Sequence, residues 1–245
     1  MAIGITGWRM HIGAIFPTPV PPRFIREFYE VAPDGVDVTT NSLTIQALTD
    51  QDLGEAVRGM ERAAKQLANF DADIVYQSGV PPIVLHGPGF APKLDAQLSE
   101  AAGITAVTDM TGVVDSLKHM GLSRLVMATP FKEIVNERLE TYLAAEGVTM
   151  VHRAGLGIER NVEIRRLPIS AEYVFARSTF EQAKDKADAL YIPCGGWGSI
   201  HNIERLEQDL GITVITWMNT MLWTCMKRHG VSAPIRGCGK LLSTL

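Results

Sequence analysis

Ala187-Asp188-Ala189-Leu190-Tyr191-Ile192-Pro193-Cys194-Gly195-Gly196 reads as a short apolar strand that ends in a proline and turns on a cysteine and two glycines. Ala72-Asp73-Ile74-Val75-Tyr76-Gln77-Ser78-Gly79 repeats it, with an Ala-Asp pair again opening the strand and Gly79 standing where Cys194 stands in the other half. Two strand-to-helix elbows of this kind carry one thiol between them. That bears on chemistry, because a two-base reaction needs an acid and a base on opposite faces of a substrate, whereas one-sided proton delivery needs a single group.

The repeat extends in both directions. Gly103-Ile104-Thr105-Ala106-Val107-Thr108 is matched by Gly211-Ile212-Thr213-Val214-Ile215-Thr216, each followed by a helical segment that ends near His119 and Gly121 or His229 and Gly230. Ile12 to Pro17 is matched by Leu125 to Pro130, both apolar strands closed by proline. Between such runs lie longer stretches of helical periodicity, the pattern of βα units around a mainly parallel sheet. Pro21 and Pro22 suit the first turn of a helix carrying Phe24, Ile25, Phe28 and Tyr29. Val36 to Thr39 reads as a short strand. Thr49 is a candidate N-cap for a helix whose stripe is Leu53, Val57, Met60, Ala64 and Leu67. The expected architecture is therefore α/β: two similar Rossmann-like lobes with a pseudo-twofold relation, each a mainly parallel four-stranded sheet flanked by helices. The first lobe spans residues 1–118 and the second 119–225, with the segment 226–245 crossing back onto the first.

In open parallel sheets, ligands bind beyond the carboxyl ends of the strands. Two facing lobes would gather four turns into one cleft: Phe16 to Val20, Gln77 to Pro82, Thr129 to Lys132, and Pro193 to Ser199. Any one of these reads equally as an ordinary βα loop punctuated by Gly and Pro; their matched places in a repeat set them apart. Cys194 would sit at a helix N-terminus, where backbone N–H groups favour the thiolate and lower its pKa. The bland reading is a buried core cysteine, and it suits Cys225 within the apolar run Met218 to Met226. His201 lies about 10 Å along a helix from Cys194, too far for a Cys/His dyad, and His86 reads as a loop residue.

Composition narrows the partners. The chain has 245 residues, net charge −4 and no basic stripe, which argues against nucleic acid. No apolar run reaches the roughly 18 residues of a membrane span, and Met1 to Trp8 lacks the features of a secretory signal. Three cysteines without metal-ligand spacing fit a reducing compartment, so the protein is expected to be cytoplasmic, free of a metal, and possible as a homo-oligomer. Neither Walker nor Gly-x-Gly-x-x-Gly spacing follows a strand, so no cofactor is expected.

With these residues assembled, the chain resembles the aspartate/glutamate racemase superfamily, in the branch of arylmalonate decarboxylase and maleate cis-trans isomerase. The likeness covers nearly the whole chain. It rests on Ile12 to Pro17, the Gly79 elbow, Ala128-Thr129 leading into Val135-Asn136-Glu137-Arg138-Leu139, and Cys194-Gly195-Gly196. It implies a cofactor-independent enzyme whose active site lies at the lobe interface, with Cys194 catalytic. Pro17, Thr18, Ser78, Gly79, Val80, Pro81, Phe131, Gly195 and Gly196 would bind a small carboxylic acid, aided by Gln77 or Ser199. Racemases and isomerases of this kind place a cysteine in each elbow; Gly79 follows the decarboxylases. The decarboxylases, however, have hydroxyl residues after the glycine and a tyrosine in the Thr-x-Tyr turn, where this chain has Val80, Pro81 and Phe131. Each lost donor to an oxyanion is worth roughly 3 kcal/mol.

Three readings are open. The first is decarboxylation of a small, substituted-malonate-like acid, with one-sided protonation of an enediolate by Cys194. The second is cis-trans or racemase-type isomerisation of a maleate-like dicarboxylic acid, a water or neighbouring group replacing the absent thiol. The third is a carboxylate-binding protein without efficient catalysis, for which the lost donors speak. A reactive, low-pKa Cys194 protected by dicarboxylates would favour an enzyme over a binder.

Overall fold

The computed structural model describes residues 7–43, 50–183, 186–197 and 200–245. Each half forms a four-stranded, all-parallel sheet. The first has the order β2-β1-β3-β4, from β1 (Met10–Phe16), β2 (Val36–Ser42), β3 (Ile74–Gln77) and β4 (Ala106–Thr108). The second repeats it as β6-β5-β7-β8, from β5 (Arg124–Thr129), β6 (Thr149–Gly155), β7 (Ala189–Ile192) and β8 (Thr213–Thr216).

The paired Ala-Asp openings have a physical reason. Asp73 accepts the N–H of His11 at 2.7 Å and its own N–H donates to the His11 carbonyl at 2.8 Å, which locks β3 onto β1. Asp188 accepts the N–H of Arg124 at 3.1 Å and donates to the Arg124 carbonyl at 2.7 Å, doing the same for β7 on β5. A carboxylate that caps the neighbouring strand sets the register, and register decides which side chains face the core. The central strands β3 and β7 are buried at every position, as strands covered on both faces must be.

Helices cover the sheets: α1 (Pro22–Val31), α2 (Asp50–Ala68), α3 (Pro81–Val84), α4 (Phe90–Ala102) and α5 (Asp109–Met120) accompany the first, and α6 (Glu133–Ala145), α7 (Asn161–Arg166), α8 (Ile169–Glu181), α9 (Ile200–Leu210) and α10 (Trp217–His229) the second. Pro22 begins α1, as expected for a residue whose missing N–H costs nothing in the first turn. Thr49 lies outside the described residues. Thr108 and Thr216 cap α5 and α10 at equivalent places, each accepting a backbone N–H three residues on. α10 packs on α5, so the last helix joins the halves. The tail touches both: Lys240 N–H donates to Glu207 on α9 at 2.9 Å, while the Thr244 hydroxyl meets His119 on α5 at 3.1 Å. Among the described residues, no helix is long and apolar enough to cross a membrane.

Candidate active site

The carboxyl ends of the two sheets face each other across a cavity of about 530 Å³. From the first half it is lined by Phe16 to Pro21 after β1, Ser78 to Pro82 after β3, and Asp109 after β4. From the second it is lined by Phe131 and Lys132 after β5, residues of the stretch Ile158 to Arg165 after β6, Pro193 to Gly196 after β7, and Trp217 after β8. Pro17, Thr18, Ser78, Gly79, Val80, Pro81, Phe131, Cys194, Gly195 and Gly196 thus all meet at one cavity. Its walls are largely apolar, and its cationic lining groups are Lys132, paired with Glu159 at 2.8 Å, and Arg165.

The Cys194 elbow differs from the sequence expectation in two respects: α9 begins only at Ile200, so Cys194 opens a turn rather than a helix N-terminus, and its thiol pKa is not lowered. The thiol is partly buried, and the amides of Gly196 and Trp197 lie beside the sulfur and favour the thiolate. Desolvation outweighs them and, with the nearby Glu172 and Asp109 carboxyls, pushes the thiol up to about 12. A lowered pKa was expected from the amides alone; their effect is present, but burial is the larger one. At neutral pH the group is therefore S–H, a proton donor, and slow alkylation of Cys194 does not distinguish a binder from an enzyme. Gly195 is required by packing, because a Cβ there would lie 2.7 Å from the Trp217 ring. Trp217 is in turn held by Phe16 and Phe24 at ring distances of 5.6 and 5.1 Å.

The Gly79 elbow is built differently. Gly79 has φ +101°, and a Cβ would stand 2.9 Å from Pro17 Cγ. Both facts demand glycine. Gly79→Cys, the change that would restore a second thiol, is thus expected to lower stability by about 1–3 kcal/mol; a thermal melt within a degree of the parent would contradict this. The Gln77 amide turns into its own elbow, donating to the carbonyls of Ser78 and Gly79 at 2.5 and 3.2 Å, so it is unavailable as a substrate donor. Ser199 lies outside the described residues.

The Thr129 turn explains why Val135-Asn136-Glu137-Arg138-Leu139 matters. Thr129 donates to the Asn136 side-chain carbonyl at 2.6 Å and accepts the Phe131 N–H at 3.1 Å, while Asn136 donates to the Phe131 carbonyl at 3.4 Å. Phe131 therefore presents only its ring to the cavity, with its backbone N–H engaged in the turn. His86 Nδ1–H donates to the Pro82 carbonyl and the ring stacks on Phe90, and His201 pairs with Glu30 at 2.8 Å. Neither lines the cavity.

Asp109 and Trp217 were not among the expected site residues. They are the first residues of α5 and α10, so they stand at equivalent places in the repeat. Asp109 is 1% exposed yet lines the cavity. It accepts the Tyr76 O–H at 3.0 Å and the Gly79 N–H at 3.2 Å. Desolvation raises its carboxyl to about 7, against the lowering effect of those two hydrogen bonds. The signal for both residues is the match between Gly103–Thr108 and Gly211–Thr216, since Asp109 and Trp217 come directly after these two strands.

Two parallel α/β sheets of matching strand order, with their strand-end turns gathered at one cavity, are the arrangement this chain shares with its relatives. A family model described as arylmalonate decarboxylase matches residues 12–242, and the chain belongs to that family. The arylmalonate decarboxylase of Bordetella bronchiseptica is 26% identical over 202 residues, which is 82% of this chain and 84% of that protein. The maleate isomerase of Geobacillus stearothermophilus is 20% identical over 246 residues, 95% and 96% of the two chains. A solved structure of unliganded arylmalonate decarboxylase superposes with a TM-score of 0.84 at 25% identity, covering 96% of this chain and all of that one (100%).

Proposed function

We propose that the protein is a cofactor-independent decarboxylase of a small substituted malonic acid or related carboxylic acid, with Cys194 as the proton donor. The observation that carries this reading is the single thiol, protonated at neutral pH, facing an apolar cavity whose opposite elbow holds Gly79. One substrate carboxylate is retained near the elbow amides of Val80 and Gly195. The other rests against apolar wall contributed by Phe131, Ile134, Val135 and Ile158. Loss of solvation there favours its departure as carbon dioxide. The C–C bonding pair passes into an enediolate, the Cys194 S–H proton goes to the α-carbon, and water returns a proton to the thiolate. An enediolate is far more basic than a thiolate, so a thiol pushed up to about 12 remains a competent acid toward it.

Isomerisation is the second reading, favoured by the likeness to the maleate isomerase of Geobacillus stearothermophilus over 95% of the chain. It asks Cys194 to act as a thiolate nucleophile, which its burial opposes. Incubation with methylmalonate, phenylmalonate and maleate separates the two. Carbon dioxide release from a malonate is expected; fumarate from maleate without carbon dioxide release would overturn the decarboxylase reading. Small-carboxylate recognition, cytoplasmic location and self-association belong to the same proposal.

A further inference from the structure

The cavity has one ionisable group on its Gly79 side, and its setting is unusual. The side chains of Val80, Pro81 and Pro82 there are apolar. Asp109 lies beside Gly79, 1% exposed and in contact with the cavity, and among the described residues it has no cationic partner. Its two oxygens accept from the Tyr76 hydroxyl and the Gly79 amide, which fix the plane of the carboxyl. Neither donor carries a charge. A carboxylate so placed would repel an incoming anion in a low-dielectric cavity, whereas a carboxylic acid would offer it an O–H donor.

We propose that Asp109 holds the substrate's retained carboxylate as a neutral acid, donating its own proton into the cavity, so that anion binding is coupled to uptake of one proton. This rests on the reading of the cavity as a carboxylate site. In the free protein above neutral pH, Asp109 is ionised; binding takes one proton from solvent and forms an acid-to-carboxylate hydrogen bond, with no bond broken in the ligand. Such bonds between an O–H donor and an anionic oxygen are among the stronger ones. Asp109 is then a substrate-binding residue beside Gly79, facing the elbow that carries Cys194.

Buried hydroxyls and thiols surround Asp109. Tyr76 on β3 and Tyr191 on β7 are both buried, with hydroxyls raised well above their ordinary value. Cys194 after β7 is pushed up to about 12, and burial raises Cys225 on α10 as well. The charged lining groups from the second half are Lys132 with its partner Glu159, and Arg165. Asp109 is raised to about 7 by desolvation, whereas burial keeps the hydroxyls of Tyr76 and Tyr191 and the thiols of Cys194 and Cys225 protonated there.

Phenylacetate is a suitable probe, being a product-like monocarboxylate that is fully ionised from about pH 6 to about pH 9. Its Kd for the full-length protein is expected to be flat below about pH 7 and to rise about tenfold per pH unit above it. Calorimetry at about pH 8 in two buffers of different ionisation enthalpy should show uptake of close to one proton. Asp109→Asn keeps an N–H donor that does not titrate, so binding should persist and the slope disappear. Tyr76→Phe removes a hydrogen bond that favours the ionised form, and should move the break to higher pH while leaving its slope. The second variant serves if the first does not fold. A flat Kd in the parent, an unchanged slope in Asp109→Asn, or an unmoved break in Tyr76→Phe would overturn the role of Asp109 while leaving the carboxylate site standing. Absence of phenylacetate binding at every pH would overturn the carboxylate reading, and this inference with it.

Discussion

Cys194→Ala is expected to lower carbon dioxide release by about a thousandfold, the loss typical of removing a positioned general acid. The side chain sits at the cavity rather than in the packed interior, partly accessible and beside Gly196, so truncating it leaves only a small void. Melting temperature should therefore hardly change, and steady-state assay of the folded variant reads chemistry alone. Cys194→Ser should be almost as impaired, since a serine hydroxyl is a much weaker acid than a thiol. Turnover in Cys194→Ala within a few-fold of the parent would remove the thiol from the mechanism. The pH profile gives a second check: a thiol held up to about 12 contributes no break in rate between about pH 6 and about pH 9. An inflection near neutrality is expected from Asp109, whose carboxyl desolvation raises to about 7.

Asp109 is also the residue with the largest expected effect on stability. In the unfolded chain it ionises near pH 4; in the folded chain its carboxyl stays protonated to about 7. The folded state thus binds the extra proton between those limits, and the stability this group contributes falls as pH rises through that window. The full difference is about 4 kcal/mol, complete by about pH 8. Asp109→Asn carries no charge in either state. Its stability relative to the parent should accordingly improve by up to about 4 kcal/mol on going from about pH 4 to about pH 8, from whatever starting cost the altered hydrogen bonds impose. Urea unfolding of both proteins at several pH values measures this. A stability difference that is constant with pH, or that moves the other way, would show that folding does not hold the carboxyl in its protonated form.

Much of the fold was legible because the strongest signals are local. The two Ala-Asp openings, the apolar cores of β1, β3, β5 and β7, and the prolines after β1 and β5 are each visible within a few residues. What escaped was one edge of each sheet. β2 runs to Ser42, beyond the Thr39 expected from sequence, and β6 was not picked out at all. Both are edge strands whose side chains are mostly half-buried, so polar residues such as Asp37, Asn41, His152 and Arg153 interrupt the apolar pattern without breaking the ladder. The elbows were legible for a different reason, since Gly79 and Cys194 fall at matched places in the repeat.

The site was legible wherever a turn residue announced itself, and illegible wherever a helix cap disguised it. Asp109 follows Thr108 and looks like an acid placed for the helix dipole, as Glu133 in α6 does. Only folding reveals that Asp109 is enclosed by Tyr76 and Gly79 while Glu133 pairs with Arg153 at the surface. The Cys194 thiol makes the same point. The favourable amides are encoded next to it in Gly196 and Trp197, but the desolvation that overrides them comes from elements far apart in the chain.

The central claim is delivery of one proton from one side, and its most direct measurement is the stereochemical course in deuterium oxide. A prochiral disubstituted malonate such as methylphenylmalonate, incubated with the protein in deuterium oxide, should lose one carbon dioxide. The product should carry one deuterium at the α-carbon in a single configuration, because Cys194 faces one side of the cavity and Gly79 the other. A racemic deuterated product, or no carbon dioxide from any malonate tried, would contradict the account.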